Sequence, residues 1–339
     1  MKESEYRNKI VVGDAFDLVH ELPENSIDTI WSSPPYWGLR DYPNIGDAYK
    51  FGLEKTVEEY VESTVTLFDG FLDCLKPWGT VWWNVGDTYI NSESQGFRCK
   101  NLAMIPFRVA IALQERGWYV RSLVSWVKKV ALPDPTKDRM PNTWEPIMLL
   151  AHPECNGKYH FDIDKIRIPG PNALHPMGVP RKNYLRTGPH NHQAKGHFAA
   201  QSTEVVAKYL PATLPTKVCV ENGKPIYDVM TAEKVDWGGD WQKMRDDAWR
   251  AKGRGAGNTG LRNVSRGDDR EWKKITVNGD HNGETAKGIV LDPFMGSGTT
   301  AVVAKDIGAD FVGFEGSPSN AGMAMDRVYS QPVSLFDGI

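Results

Sequence analysis

Residues 288–316 read GIVLDPFMGSGTTAVVAKDIGADFVGFEG, and their pattern decides the fold class. Ile289, Val290 and Leu291 make a short apolar run ending in Asp292, as a buried strand does. Gly296 and Gly298 let the backbone turn tightly and approach a ligand, and Thr299 and Thr300 open a helix whose free N–H groups face that ligand. A second strand follows and ends in Glu315. Strand, glycine turn, helix and strand form a βαβ unit, whose strands lie parallel in one sheet. The turn is the expected place for a nucleotide or nucleoside.

Two common ligand classes do not fit. A phosphate-loop enzyme needs Gly-Lys before its Ser/Thr, and a dinucleotide enzyme needs G-x-G-x-x-G, whereas Gly298 is followed by Thr-Thr-Ala. Asp292 also sets a carboxylate where a pyrophosphate would lie, so a cationic ligand is favoured. Glu315 stands where such folds hold ribose hydroxyls.

Outward from this unit, strand-like and helix-like patterns alternate. KIVVGDAFDLVHEL (9–22), SIDTIWSS (26–33), GTVWWNVGD (79–87), WYVRSLVSWVKK (118–129) and WEPIMLLAH (144–152) carry strands. TVEEYVESTVTLFDGFLDCL (56–75) and LAMIPFRVAIALQERG (102–117) space their apolar residues as helices do. This alternation predicts an α/β fold with a parallel sheet covered on both faces. From about residue 170 to 287 the pattern fails, and Gly, Pro, Asn, Arg and Lys dominate. The expected organisation is therefore 1–168 and 288–330 as two parts of one domain, 169–287 as an irregular insertion, and 331–339 as a tail.

Composition narrows the setting. The 339 residues are 40% hydrophobic and 24% charged, as in ordinary globular proteins. No apolar run approaches the ~18 residues a membrane span needs, and MKESEYRNK lacks a signal-peptide core, so a cytoplasmic protein is expected. Cys74, Cys99, Cys155 and Cys219 form no C-x-x-C pair, which argues against a disulfide framework and a zinc site; no metal is expected. Charge is uneven: residues 165–288 hold 21 Lys+Arg against 13 Asp+Glu, or +8, which leaves −11 for the remainder of a chain of net −3. A basic segment in an acidic protein suits a polyanion-binding surface.

WSSPPY (31–36) closes its strand with two prolines, neither of which can donate a ladder hydrogen bond. S-P-P-Y near the N-terminus, with D-P-F-x-G-S-G-T-T near the C-terminus, resembles the S-adenosylmethionine-dependent amino DNA methyltransferases in their permuted, beta-class order. VVGDAFD, LKPWGTVWWNVGDTY, KNLAMIPFRVAIALQERGWYVRS and TKDRMPNTWEPIMLL extend the resemblance over residues 8–168 and 286–328. It implies a Rossmann-like class I methyltransferase sheet, circularly permuted, with 169–287 as a target-recognition lobe. It also implies that Asp292, Pro293, Phe294, Gly296, Ser297, Gly298, Thr299 and Thr300 cradle S-adenosyl-L-methionine beside Ser33. Glu315 would take the ribose hydroxyls, and Asp14 the adenine amino group.

The implied activity gives the S-P-P-Y stretch a chemistry. An exocyclic amino group is a poor nucleophile while its lone pair is delocalised, and acceptors on its two hydrogens let the nitrogen pyramidalise. Ser33 Oγ and the Pro34 carbonyl would be those acceptors, Pro35 would stiffen the loop, and Tyr36 would offer a face to an extruded base. Relatives with Ser at the first position mostly act on cytosine N4 and those with Asp or Asn on adenine N6, yet serine accepts from either base. Cytosine N4 methylation is the expectation; adenine N6 methylation, and a DNA-binding relative without turnover, remain alternatives. Glutamine-amide methylation usually goes with N-P-P-Y and the unpermuted order, both absent here. Asn84 and Asp87 are candidate orienters of the site.

Further expectations concern partners and departures from the pattern. Double-stranded DNA would meet the basic segment through Arg181, Lys182, Arg186, Arg250, Arg254 and Arg262. The oligomeric state is not readable from the sequence, though relatives commonly form a homodimer, and QPVSLF (331–336) resembles the peptide by which bacterial proteins dock on the sliding clamp. Relatives carry H-F-A-x-F-P on the cofactor's methionine end; here His197-Phe198-Ala199-Ala200 is followed by Gln201-Ser202. KVCVENGKPIYDV looks like half of a zinc knuckle, with Asn222 in place of a second cysteine.

Overall fold

The computed structural model describes residues 1–38, 51–93, 97–129, 134–170, 175–187, 201–234, 270–279 and 283–330. In chain order the elements are α1 (Glu3–Tyr6), β1 (Lys9–Val12), α2 (Ala15–Leu18), β2 (Ile27–Ser32), α3 (Val57–Cys74), β3 (Leu75–Asn84), α4 (Ile105–Glu115), β4 (Tyr119–Lys128) and β5 (Trp144–Ala151). There follow β6 (Tyr184–Thr187), α5 (Thr203–Tyr209), β7 (Val218–Cys219), β8 (Tyr227–Lys234), β9 (Arg270–Val277), β10 (Thr285–Ala286), β11 (Ile289–Asp292), α6 (Thr299–Asp306), β12 (Asp310–Glu315) and α7 (Pro318–Ser330).

Among the described residues, eight strands form the main sheet in the order β1-β12-β11-β2-β3-β5-β4-β6. The C-terminal βαβ unit therefore lies inside the sheet, between the chain's first two strands. β1, β12, β11, β2 and β3 run parallel, whereas β5 is antiparallel to both β3 and β4. The expected parallel sheet is thus mixed. A parallel crossover needs a connection of a dozen or more residues, usually a helix, and no helix lies among the described residues between Lys128 and Trp144.

Burial explains why the central strands read as unbroken apolar runs. Every residue of β2, β11 and β12 is buried, because both faces of the sheet are covered. Adjacent residues point to opposite faces: Trp83 packs with Phe68 and Phe71 of α3, while Trp82 packs with Trp31 and Tyr209. α3 starts at a capping box in which Thr56 Oγ1 accepts from Glu59 N and Glu59 Oε2 accepts from Thr56 N. It turns Val57, Tyr60, Thr64, Phe68 and Phe71 inward at helical spacing.

At the edge away from the strands' C-terminal ends, Lys76 Nζ donates to Asp28 Oδ1 at 2.7 Å and the Ile289 N–H donates to Asp28 Oδ2 at 2.9 Å. This buried pair ties β2, β3 and β11 together.

The 169–287 segment is only partly separate. β6 extends the main sheet by pairing with β4, and α5 packs on α6. β8 and β9 form an antiparallel ribbon of their own, and β7 pairs with β10. Among the described residues, no helix is long and apolar enough to cross a membrane, and no group of three His, Cys, Asp or Glu side chains is placed to hold a metal ion. Asn222 Oδ1 accepts from Lys224 N in a turn.

Candidate active site

Reading across the sheet, the ends of neighbouring strands present Asp14 after β1, Glu315 on β12, Asp292 on β11, Ser32 and Ser33 at β2, and Asn84 on β3. Glu145 opens the antiparallel β5 and so reaches the same edge. Ligand sites in open α/β sheets form at this edge, where strand order reverses; here that is the β11/β2 crevice.

Asp292 sits in that crevice. Its Oδ1 accepts from Ser32 Oγ at 2.6 Å and from the Phe294 N–H at 3.1 Å, and its Oδ2 accepts from Thr300 Oγ1 at 2.6 Å. Burial pushes its pKa up to about 6, and the charged group acting on it is another carboxylate, Glu315. Glu315 is itself held: Oε2 accepts from the Gly296 N–H at 2.9 Å, and Oε1 accepts from the Ser317 N–H at 3.0 Å. Asp14 caps α2, accepting from the Phe16 N–H at 2.9 Å, and burial raises its pKa as well. Carboxylates gathered at one edge, with a buried one lacking a cationic partner among the described residues, fit a ligand that carries positive charge.

The glycine turn is made as its sequence requires. Gly296 and Gly298 adopt φ 53° and 79°, left-handed values that side-chain-bearing residues rarely tolerate. Behind it, Arg327 of α7 donates from Nη1 to the Ser297 carbonyl at 2.9 Å and to Ser297 Oγ and Thr299 Oγ1 at 3.1 Å each. Thr299 Oγ1 also donates to the Gln201 carbonyl at 3.5 Å. The hydroxyls of Ser297 and Thr299 thus brace the turn from behind, while Thr300 holds Asp292. Phe294, next to Pro293, stacks on Phe51 at 5.3 Å, and Phe51 stacks in turn on Tyr60.

On the other side of Asp292 stands the S-P-P-Y stretch. Tyr60 Oη donates to the Pro35 carbonyl at 3.0 Å, whereas the Pro34 carbonyl accepts no hydrogen bond among the described residues. Ser33 Oγ lies 3.2 Å from Tyr36 Oη, and Tyr36 Oη donates to Glu145 Oε2 at 2.9 Å. Burial, and then Glu145, hold the Tyr36 pKa well above the usual phenol value. The ring of Tyr36 lies against Gly86, where a Cβ would come within 2.6 Å of Cε2.

The two proposed orienters have different surroundings. Asn84 Nδ2 donates to the Pro146 carbonyl, and its Oδ1 accepts from Gln201 Nε2 at 3.4 Å. Gln201 Oε1 in turn accepts from Trp31 Nε1 at 2.8 Å. Asp87 turns away to α4, accepting from the Thr88 and Ile105 N–H groups.

Of the DNA-binding candidates, Lys182 and Arg186 are exposed at β6, while Arg181 is half-buried and its pKa is lowered by that burial. Arg250, Arg254, Arg262, His197, Phe198 and 331–336 lie outside the described residues. Sequence reasoning missed Ser32, Glu145, Gln201 and Arg327. Ser32 had a signal, since it ends the strand just before the S-P-P-Y motif; Glu145, Gln201 and Arg327 lie in or beside stretches quoted for the resemblance, but nothing in their spacing assigned them a role.

Comparison with known proteins places the chain in a family. Residues 27–218 and 281–326 match the N6_N4_Mtase family, described as DNA methylase. The Type II methyltransferase M.SfiI of Streptomyces fimbriatus is 40% identical over 169 residues, which cover 47% of this chain and 39% of that protein. The Type II methyltransferase M.SmaI of Serratia marcescens is 28% identical over 353 aligned positions, covering 96% and 92%. Two solved structures share the fold. PvuII DNA methyltransferase (cytosine-N4-specific) aligns at TM-score 0.52 and 17% identity over 96% of this chain and 87% of that one. A putative DNA modification methylase of Thermus thermophilus, complexed with S-adenosyl-L-methionine, aligns at 0.53 and 16% over 97% and 96%. The chain belongs to the N6_N4_Mtase family of DNA methylases, enzymes that depend on S-adenosyl-L-methionine.

Proposed function

We propose that this protein methylates N4 of a cytosine extruded from duplex DNA. The observation that carries the reading is the pair of acceptors at the end of β2: Ser33 Oγ, and a Pro34 carbonyl that accepts no hydrogen bond among the described residues while Tyr60 takes that of Pro35. They stand one strand from Asp292 and the glycine turn. Bound S-adenosyl-L-methionine supplies an electrophilic methyl group on a sulfonium. Asp292, Glu315, Asp14 and the Phe294–Gly298 turn would hold it, and the buried Asp292 carboxylate offsets its positive charge.

The protein's own work is then largely positioning. Ser33 and Pro34 take the two amino hydrogens, so the nitrogen lone pair leaves the ring and turns towards the methyl group. Tyr36 offers a face for stacking, and Lys182 and Arg186, with the other basic residues of 169–287, are assigned to phosphate contacts. Serine at the first position of the motif supports cytosine. Adenine N6 is the second reading, because a hydroxyl accepts equally from that amino group.

The test is incubation with labelled cofactor and unmodified duplex DNA, followed by nucleoside mass spectrometry. N4-methylcytosine is expected. N6-methyladenine would select the second reading, and no label despite cofactor binding would point to a DNA-binding relative without turnover.

A further inference from the structure

Ser33 serves the proposed chemistry only if its oxygen, not its hydrogen, faces the amino group. A serine hydroxyl rotates freely between donor and acceptor, and a proton directed at the amino nitrogen would occupy the lone pair needed for attack. Something must fix its direction. Residues 33, 36, 145 and 128 form a chain whose directions can be worked out from one end.

Lys128 Nζ only donates, and it is bonded to Glu145 Oε1. Glu145 is a carboxylate with acceptors alone, so at Oε2 it takes the single hydrogen of Tyr36 at 2.9 Å. Tyr36 Oη, its hydrogen spent, can only accept from its other neighbour, Ser33 Oγ at 3.2 Å. Ser33 then donates to Tyr36 and turns its lone pairs outward. Gly86 and Tyr60 hold the frame, the first by leaving room for the Tyr36 ring and the second by fixing the Pro35 carbonyl.

We infer that Glu145, anchored by Lys128 and acting through Tyr36, is a positioning residue that sets the hydrogen-bond polarity of Ser33 and makes it an obligate acceptor. This rests on the reading of Ser33 as a ligand of the amino group. It assigns Tyr36 a second task beside stacking, and it gives a role to Glu145, which lies in the TKDRMPNTWEPIMLL stretch but had no function attached to it.

Lys128 makes the inference testable in an unusual way. In Glu145→Gln the ammonium still demands an oxygen, so the amide turns its NH2 towards Tyr36. Tyr36 must now accept there and donate to Ser33, and Ser33 points its hydrogen into the site. The chain is inverted, not merely broken. Tyr36→Phe, by contrast, leaves Ser33 free to rotate into either direction.

The experiment measures single-turnover methyl transfer from labelled S-adenosyl-L-methionine to amplified, hence unmodified, genomic DNA, together with cofactor Kd by calorimetry. Glu145→Gln is expected to be slower by about 100-fold and Tyr36→Phe by about tenfold, the scale of losing one oriented hydrogen bond at a reacting centre. The double variant should recover to the Tyr36→Phe rate, with cofactor Kd within about twofold throughout, because the two residues act as one unit. A double variant slower than either single, or a Glu145→Gln enzyme at full rate, would overturn the inference. If Glu145→Gln does not fold, Tyr36→Phe in a Ser33→Ala background decides: no further loss is expected, and an added loss would contradict the chain. Full activity in Ser33→Ala sinks the reading of the S-P-P-Y motif itself, whereas inactive Ser33→Ala beside fully active Glu145→Gln sinks only the role of Glu145.

Discussion

The two halves of the sheet edge are built differently. The half proposed to hold the cofactor, on β1, β12 and β11, takes most of its groups from one βαβ unit: Asp292, the Gly296–Gly298 turn and Glu315 fall within 24 residues. The acceptor half, on β2, β3, β5 and β4, gathers Ser33, Tyr36, Glu145, Lys128 and Gln201 from positions up to 168 residues apart. A local unit carries its ligand chemistry in its own spacing. A site assembled by topology does not, and its polar residues acquire meaning only through their partners.

Substitutions should separate the halves. The largest expected effect is on the cofactor side: Asp292→Asn removes the buried charge and should weaken cofactor binding by about 100-fold, while DNA binding measured by gel shift stays intact. Gly86→Ala probes the other half. Its Cβ would push the Tyr36 ring aside, and a displacement of that kind should slow transfer by roughly tenfold to a hundredfold with cofactor Kd unchanged. A matched loss of cofactor affinity in Gly86→Ala would show that the halves are not independent.

The Asp292 pKa of about 6 makes a pH test available. Cationic cofactor needs the ionised form, so its affinity should fall by about tenfold for each pH unit below 6, and Asp292→Asn should flatten that profile. Stability of the cofactor-free protein runs in the opposite direction. A carboxyl whose folded pKa is raised stabilises the fold when protonated, so this contribution is present below about pH 4 and is lost as pH rises through about 6. Denaturant melts across that range check the sign.

The smallest expected effect is structural. Gln201→Leu leaves Trp31 Nε1 and Asn84 Oδ1 without their partner and should cost about 1–3 kcal/mol in unfolding free energy.

Legibility in the sequence followed the same division. IVLD, the glycines and DFVGFE announced strand, turn and strand because burial on both faces and left-handed φ values demand those residue types. WSSPPY was legible as an interrupted strand, and the chemistry proposed for it rests on its pairing with the glycine turn. The antiparallel course of β5 was not legible in the strand itself: WEPIMLLA is an apolar run of either direction, and the connection before it, with no helix among the described residues, is what accompanies the reversal. Without that direction Glu145 could not be placed at the catalytic edge, nor could its bond to Tyr36 be foreseen. Gln201 makes three contacts, to Trp31, Asn84 and Thr299, which leave no trace in periodicity.

The division of labour along the edge is tested most directly by Ser33→Ala, with cofactor Kd and single-turnover transfer rate measured on the same preparation. The account predicts a rate lowered by about 100-fold with Kd held within about twofold, because it assigns Ser33 to the amino group and Asp292 to the cation. An unchanged rate, or a Kd that weakens in step with the rate, would contradict it.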